Sequence, residues 1–495
     1  MKIFSKTKIF LILTFSCDII WCIDSKNKNS MWEVESLELT TEKILERIAE
    51  KQYAALRDEL NEENPIDIAE HLSEIPEESL PVVFRLLAKE LAAETFVEMD
   101  SECQELLIRS FSDNELRSVT EELYSDDMVD IIEEMPANLV KRILATATNE
   151  TRASINTLLR YSPDSAGGIM TLEYVRLLPT MTVSQAFERI KRTGVDKETI
   201  YTCYVTDAQK RLIGVVTVKD MLLAEPDSVI LDIMETNIIF THTDEDKESV
   251  AKIFVDYGFL ALPVVDKEDR LVGIVTYDDA IDIISEESEE DMQIMAAITP
   301  SDTPYLKTSV FSIWKSRIPW LLLLMISSTF TGLIITSFED ALAASVALTA
   351  FIPMLMGTGG NSGSQSSVTV IRSLSLDELE FGDLFRVVWK EVRISFFCAI
   401  ALAVANFVKM ILIDMLLITG NALSFNREGL LVALVVCLAL AVTVICAKVI
   451  GAVLPMLAKK LGFDPAVMAN PFITTIVDAL SLLVYFFFAK TIILS

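Results

Sequence analysis

The chain has 495 residues, a length that allows about three domains, and it is 51% hydrophobic and 23% charged with a formal net charge of −30. Charge and hydrophobicity lie in different parts: residues 1–300 carry 29 basic and 60 acidic side chains, whereas residues 301–495 carry 13 and 12. This division excludes a simple soluble enzyme. So acidic a domain also repels phosphate backbones, which argues against nucleic acid as a main partner and favours a multivalent cation.

The first 30 residues combine lysines with a short apolar run, a pattern typical of a secretory signal. A cleaved signal would export the acidic part, in conflict with the orientation predicted below. Residues 1–30 are therefore interpreted as an over-extended start or an additional N-terminal segment. With two histidines, no CxxC pair and no nucleophile–base pair, the sequence predicts neither a zinc site nor an enzyme.

Residues 31–165 are predicted to form an all-α domain. Segments such as NPIDIAEHLSEIP and SDDMVDIIEEMPANLVKRILA carry apolar residues at i, i+3 and i+4, and breaks with Pro, Asp, Asn or Ser separate them. Each helix is too short to bury its own stripe, so we expect the helices to stack into a small superhelix. A regulatory domain and a generic helical adaptor fit this periodicity equally well.

An internal repeat follows, over residues 166–225 and 226–284. RLIGVVTVKDML at 211–222 matches RLVGIVTYDDAI at 270–281. Each copy is predicted to contain a strand, a turn, a second strand and a helix that begins near an aspartate, with another helix before them. The repeat resembles a tandem pair of CBS domains, which is an α/β unit.

Residues 285–317 are predicted to form a connecting helix with an acidic run, SEESEEDMQ. A solvated acidic face and a divalent-cation site are both open interpretations, because like charges on neighbouring turns repel one another. The run lies between the repeat and a predicted membrane domain, and Asp278, Asp279 and Asp282 precede it. In this context the divalent-cation site and the solvated acidic face are equally supported interpretations.

Residues 318–495 are predicted to be an all-α transmembrane domain. Five apolar stretches are long enough to be considered as spans: 318–337, 341–355, 392–417, 430–457 and 467–494. Lysines and arginines concentrate before the first stretch and in the second and fourth loops. The positive-inside rule therefore places the N-terminal domains in the cytoplasm of a multi-pass cell-membrane protein.

A carboxylate inside the last apolar stretch is the strongest functional signal. Asn470, Thr474 and Asp478 recur at i, i+4 and i+8 and so share one face of a helix. A charge in lipid is expensive and usually marks a pathway, and these oxygen ligands suit Mg²⁺ or Ca²⁺. A structural aspartate that is hydrogen-bonded between helices is the alternative.

PMLMGTGGNSGSQSS, residues 353–367, ends the predicted second span. Its spacing alone predicts a tight irregular turn at the mouth of the membrane domain, and its four glycines would let backbone approach backbone or an ion. The segment lacks the GK[ST] ending of a phosphate-binding loop, so no nucleotide is expected there.

Together these pieces resemble the MgtE family of magnesium channels and transporters, from about residue 60 to the C-terminus. The resemblance rests most on PMLMGTGGNSGSQ, DPAVMANPFITTIVD and YSPDSAGGIMT. It implies a multidomain membrane protein with an all-α superhelical N domain, an α/β tandem CBS pair and an all-α transmembrane domain of five helices. It also implies a homodimer in the lipid bilayer, with the pore at the subunit interface.

The resemblance implies roles for individual residues. Asp478 lines the pore, and Asn470 and Thr474 help to hold the hydrated ion. The regulatory cytosolic Mg²⁺ sites map onto Glu248, Asp279, Asp282, Glu287, Glu290, Asp291 and Asp164. Gly258 stands where the family pattern has an acidic residue, so one of these sites is expected to be altered. ATP at the CBS pair would lie near Tyr204, Arg211 and Asp220.

We therefore predict a Mg²⁺-selective channel or transporter of the inner membrane that cytosolic Mg²⁺ closes by bridging acidic surfaces of the N domain, the CBS pair and the connecting helix. Two alternatives stay open. One is transport of Co²⁺, Mn²⁺ or Ca²⁺, because ligand hardness alone does not exclude these ions. The other is a membrane-anchored adenine-nucleotide sensor, in which Asp478 would have no transport role.

Overall fold

A computed structural model of the chain describes residues 39–301, 305–306, 308–339, 346–411, 427–468 and 470–493. The N-terminal extension predicted over residues 1–30 lies outside the described residues. The chain divides near Ala280 into two compact units, which are considered separately below. The helices and strands confirm the predicted fold class: a helical N-terminal part, an α/β repeat and a C-terminal part of long apolar helices.

The first unit begins with short helices that share their cores. Ten of them are α1 Thr41–Ala49, α2 Tyr53–Leu60, α3 Pro65–Glu74, α4 Leu80–Phe84, α5 Lys89–Val97, α6 Ser101–Ser110, α7 Asp113–Thr120, α8 Ser125–Glu134, α9 Ala137–Thr146 and α10 Asn149–Leu158. The apolar stripes predicted from the periodicity are buried, since Leu56 and Leu60 on α2 and Ile68 and Leu72 on α3 are fully inaccessible. No single helix buries its stripe alone, so the helices depend on one another for stability.

The repeat forms two similar three-stranded sheets, β1-β2-β3 and β4-β5-β6. Their strands are β1 Arg176–Leu177, β2 Thr202–Thr206, β3 Leu212–Thr217, β4 Thr241–His242, β5 Ala261–Val265 and β6 Leu271–Thr276. In each sheet the first pair is parallel and the second antiparallel, and the second pair shifts register at the equivalent place. An antiparallel bridge between Arg211 and Arg270 joins the two copies at their matching residues.

The helices of the repeat also follow the predicted pattern. They are α11 Val183–Thr193, α12 Val218–Leu223, α13 Ile230–Ile233, α14 Lys247–Tyr257 and α15 Tyr277–Met295. The helix bearing the acidic run differs from the predicted 285–317 segment, because α15 starts directly after β6 and ends at Met295. Thr276 and Asp279 cap its start, as Thr217 and Asp220 cap α12. The repeated T-x-x-D motif is thus a helix-capping motif.

The second unit consists of long helices. They are α16 Val310–Ser337, α17 Ile352–Ser375, α18 Leu384–Lys409, α19 Arg427–Lys460 and α20 Asn470–Ile493. Within the described residues, four helical segments are long and apolar enough to cross a bilayer: Val310–Ser337, Phe381–Lys409, Gly429–Lys460 and Pro465–Ile493. These correspond to four of the five predicted spans. The remaining one, 341–355, falls partly on undescribed residues.

The expectation of a tight irregular turn over residues 353–367 was wrong, because the whole glycine-rich segment lies inside α17. Its glycines are contact points between helices. A Cβ built at Gly451 of α19 would lie 2.2 Å from the backbone oxygen of Gly363, so the two backbones are in direct contact there. Small residues allow this close approach between membrane helices, and a pattern that breaks a soluble helix therefore stabilises helix packing here.

We expect Gly451→Ala to destabilise the helical unit, by about 1–3 kcal/mol as is typical of overpacked positions, because the new methyl group meets immovable backbone. Gly357→Ala in α17 is the matched control, since a Cβ there meets nothing within 4 Å. Thermal unfolding of the full chain in detergent should show a lower midpoint for the first variant. The control should unfold at the wild-type temperature or above it. Equal midpoints for both variants would contradict this contact.

Candidate ion-binding sites

The last helix, α20, presents Asp478 in an unusual state. One of its carboxylate oxygens, Oδ1, is buried and has no hydrogen-bond partner among the described residues. Buried polar atoms are nearly always partnered, and a carboxylate in an apolar helix without a partner is costly. The predicted alternative, an aspartate fixed by hydrogen bonds between helices, does not fit this oxygen. A cation from outside the chain would satisfy it.

The glycine-rich helix lies directly against the Asp478 face of α20. A Cβ at Gly360 would be 2.9 Å from Cγ2 of Thr474, and one at Gly359 would be 2.7 Å from Oγ of Ser481. Thr474, Asp478 and Ser481 are spaced i, i+4 and i+7, so they form one stripe. The segments PMLMGTGGNSGSQ and DPAVMANPFITTIVD, on which the sequence resemblance rests most, therefore meet along this stripe. Asn470, the third predicted pore residue, is the first residue of α20.

Acidic residues collect where α20 begins. Asp464 accepts a hydrogen bond from the amide of Ala466 at 2.7 Å and thereby caps the short 3-10 turn Pro465–Met468 that precedes α20. Burial, together with the charges of Asp464, Glu287 and Glu290, raises the pKa of Asp291 on α15 to about 6. The acidic run of α15 thus lies within electrostatic range of the entrance to the last helix.

A second acidic cluster, which the sequence reasoning missed, lies in the first unit. Burial raises the pKa of Asp127 on α8 to about 7 and that of Glu198 to about 8, and in both cases Asp279 adds to the effect. Burial and the same neighbour also raise the pKa of Asp126 well above its usual range. Glu198 Oε2 is buried without a partner in the described part of the chain. The cluster therefore holds carboxylates that repel one another.

The predicted regulatory residues are only partly brought together. Asp279 reaches this cluster, whereas Asp164 lies 3.7 Å from the ammonium of Lys247 and is an ion-paired side chain. Across the described ranges, no three acidic, histidine or cysteine side chains are arranged closely enough to hold a metal ion as they stand. The raised pKa values of these carboxyl groups therefore reflect burial first and repulsion between carboxylates second.

Gly258, the departure noted in the sequence, ends α14 with φ of +66°. This left-handed conformation favours glycine at a helix C-terminus, and a Cβ there would meet nothing within 4 Å. The position therefore terminates a helix in this chain and contributes no carboxylate.

The three residues predicted for ATP lie in different environments. Tyr204 is fully buried in the sheet, with its ring 6.1 Å from that of Tyr174 in an edge-on arrangement. The carboxylate of Asp220 accepts from the amide and the hydroxyl of Thr217 at the start of α12, and Arg211 lies at the bridge between the two repeats. Tyr204 is thus a core residue, because its strand is buried continuously after the first residue.

Comparisons with known proteins agree with this architecture. The family model of the MgtE intracellular N domain matches residues 63–164, and that of the CBS domain matches 166–227 and 230–286. The family model described as MgtE, divalent cation transporter, matches residues 352–488. The magnesium transporter MgtE of Thermus thermophilus is 35% identical over 454 residues, which cover 91% of this chain and 98% of that protein. The chain belongs to the MgtE family.

Other MgtE proteins match over similar lengths. The magnesium transporter MgtE of Bacillus subtilis is 33% identical and covers 88% of this chain and 94% of its own. A crystal structure of the cytosolic domain of the Mg²⁺ channel MgtE in complex with ATP is 38% identical, with a TM-score of 0.47, over 49% of this chain and 99% of that one. The relatives are named as transporters, in agreement with the prediction that this MgtE-family chain is not an enzyme.

The acidic cluster gives this MgtE-family chain a pH-dependent stability. The usual carboxyl pKa is about 4, so between about pH 4 and pH 8 the folded state binds more protons than the unfolded state at Asp127 and Glu198. Stability therefore falls as the pH rises through this window. We expect a divalent cation to oppose the loss, because it would neutralise the ionised carboxylates.

We expect hydrogen-exchange protection factors of α8 in the full chain to be lower at pH 8 than at pH 6 without divalent cations. Millimolar Mg²⁺ should restore the protection at pH 8 and have less effect at pH 6. Asp127→Asn should reduce both the pH dependence and the response to Mg²⁺, because it removes one of the raised carboxyl groups. A wild-type response that is equal at both pH values would contradict the cluster's role.

Proposed function

We propose that the chain is a Mg²⁺-selective channel or transporter of the cell membrane, with its N-terminal domains in the cytoplasm. The observation that carries the proposal is the buried, unpartnered Oδ1 of Asp478 on a helix of membrane-spanning length. Thr474, whose hydroxyl is a neutral oxygen ligand, lies on the same stripe against Gly360 of α17. Mg²⁺ dehydrates reluctantly, so one carboxylate with neutral neighbours suits an ion that keeps its waters.

We further propose that two copies of the chain form the pore. A single carboxylate stripe makes an incomplete site for a divalent cation, whereas two Asp478 side chains facing a common axis neutralise its charge. The full-length similarity to magnesium transporters supports magnesium as the ion. The family description as a divalent cation transporter keeps Mn²⁺, Co²⁺ and Ca²⁺ as candidates to be compared in the same assay.

We propose that cytosolic Mg²⁺ closes the pore. Two clusters support this: the acidic run of α15 near Asp464, and the cluster of Asp126, Asp127, Glu198 and Asp279. In both, repulsion between carboxylates costs free energy that a bound divalent cation relieves. An ion that binds the closed arrangement more tightly shifts the population towards it. The remaining predicted ligands, Glu248 and Asp282, belong to this proposal as well.

ATP binding at the CBS pair is proposed at the exposed residues near Arg211 and Asp220. Tyr204 would lie beneath them in the core and would not contact the nucleotide. Binding of ATP to the full chain, compared between wild type and Arg211→Ala, tests this site; equal affinities would remove Arg211 from it.

Mg²⁺ entry into proteoliposomes containing the full chain tests the proposed function. Entry that exceeds empty liposomes, and that falls when Mg²⁺ is raised on the side of the acidic domains, is expected. A membrane-anchored nucleotide sensor predicts no such entry. Parallel measurements with Mn²⁺, Co²⁺ and Ca²⁺ determine the ion.

A further inference from the structure

Three buried polar side chains from three helices meet inside the second unit, away from the Asp478 stripe. The hydroxyl of Ser366 on α17 donates to Oε2 of Glu391 on α18 at 2.6 Å. The ammonium of Lys448 on α19 donates to the same Ser366 oxygen at 3.5 Å. Ser366, Glu391 and Lys448 are 2%, 8% and 5% exposed, so the whole group is removed from solvent.

The chemistry of this group is that of an ion pair joined through a hydroxyl. A serine hydroxyl has one proton to donate and lone pairs that accept, so it serves the carboxylate and the ammonium at the same time. Opposite charges within apolar helices compensate each other, whereas either charge alone would be expensive. The ammonium also makes this a poor place for a cation. The group is therefore distinct in kind from the Asp478 stripe.

An apolar layer closes one side of the group. Val370, Val387 and Ala452 each lie four residues, or about one helical turn, from one of the three polar residues, and they pack together with Leu374 and Met456 in one cluster. Because α17, α18 and α19 all contribute to this layer, it separates the polar group from the C-terminal ends of α17 and α19 and from the N-terminal end of α18. This layer and the burial of the three side chains fit a fixed structural bridge.

The bridge acts on the helix that supports the proposed pore stripe. Gly363 lies one turn before Ser366 on α17, and a Cβ there would be 2.8 Å from Cγ2 of Ile473 on α20. Gly360, one further turn away, faces Thr474. A shift of α17 at Ser366 would thus change its contact with α20, because glycine backbones leave no flexible side chain to absorb the movement.

We propose that Glu391, Ser366 and Lys448 are positioning residues, which hold α17 against α20 and so set the position of Thr474 and Asp478. The inference rests on the proposed pore in α20. It predicts that the bridge controls how tightly the pore takes Mg²⁺, although none of the three residues touches the ion.

Mg²⁺ entry into proteoliposomes, measured against Mg²⁺ concentration with the full chain, tests the bridge. Ser366→Ala should raise the half-saturating Mg²⁺ concentration at least tenfold, and Ser366→Thr should restore it to within threefold of wild type because the hydroxyl returns. Glu391→Gln and Lys448→Met should each impair entry more than the double variant does, because each single change leaves one buried charge unpaired. Size-exclusion profiles and thermal unfolding identify any variant that has not folded.

The outcomes separate the two proposals. If wild-type liposomes take up no more Mg²⁺ than empty ones, the proposed function fails and the bridge inference fails with it. If wild type takes up Mg²⁺ and Ser366→Ala has the wild-type half-saturating concentration, the bridge alone is overturned. Should Ser366→Ala not fold, the charge variants decide: a double variant that is as impaired as the two single variants combined overturns the bridge.

Discussion

Asp478→Asn is expected to reduce Mg²⁺ entry into proteoliposomes by at least about a hundredfold. The substitution keeps the shape of the side chain and removes the charge. At the short distances of a pore, a divalent cation and a carboxylate interact by several kcal/mol even at an effective dielectric constant of about 20. Two symmetry-related copies would lose this interaction together. Since Oδ1 has no partner within the described residues, its replacement should leave the fold intact.

Asp383→Asn is the matched control for this experiment. Asp383 is also an aspartate of the second unit, but it lies at the start of α18 and pairs with Arg386 at 2.9 Å. Its neutralisation should leave Mg²⁺ entry within about twofold of wild type, as is typical of exposed ion pairs. Asp478→Glu, which keeps the charge, should retain more entry than Asp478→Asn. Undiminished entry with Asp478→Asn would refute the pore assignment.

The combined variant Glu287→Gln, Glu290→Gln and Asp291→Asn should keep the channel open at Mg²⁺ concentrations that close the wild type. These three residues share one face of α15, and the pKa of Asp291 shows that this face senses Asp464 at the entrance to α20. Removing them removes the repulsion that Mg²⁺ relieves. The half-inhibiting Mg²⁺ concentration should rise at least tenfold, which corresponds to about 1.4 kcal/mol of lost differential binding.

A control variant on the same helix separates this effect from a general loss of charge. Glu286→Gln with Glu289→Gln neutralises two carboxylates at neighbouring positions of α15 that are not among the predicted ligands. Its half-inhibiting concentration should stay within about threefold of wild type. Normal closure of the triple variant, or equal shifts in the triple variant and the control, would remove these residues from the gating mechanism.

Much of the architecture follows from patterns formed by residues that are close together in the sequence. The CBS repeat is visible because matching apolar strand segments and the T-x-x-D cap recur in the two copies, and both copies form the same strand pair and the same cap in the fold. Asp478 is visible because one carboxylate in a long apolar helix has no local explanation. The helix periods of the N domain likewise predict which leucines are buried.

Other features are invisible until helices are placed side by side. Asp126 and Asp127 look like ordinary N-terminal residues of an amphipathic helix. Only the fold buries them and brings Asp279 close to both, and burial and this neighbour raise their pKa values. The turn predicted at the glycines of α17 was wrong because hydropathy and turn propensity describe a segment alone. Their function as contact surfaces appears only against α19 and α20.

The amino-acid sequence by itself determined the family, the order of the domains and the presence of a charge in the last apolar helix. Hydrophobic periodicity, secondary-structure propensity and hydropathy depend on a few neighbouring residues, so they can be recognised in the sequence without knowledge of the fold. The tertiary structure alone decided which carboxylates repel one another and which serine joins Glu391 to Lys448. It also decided that the backbones of Gly363 and Gly451 are in direct contact. Such interactions join residues far apart in the chain, and their energies depend on distances and burial that only packing sets.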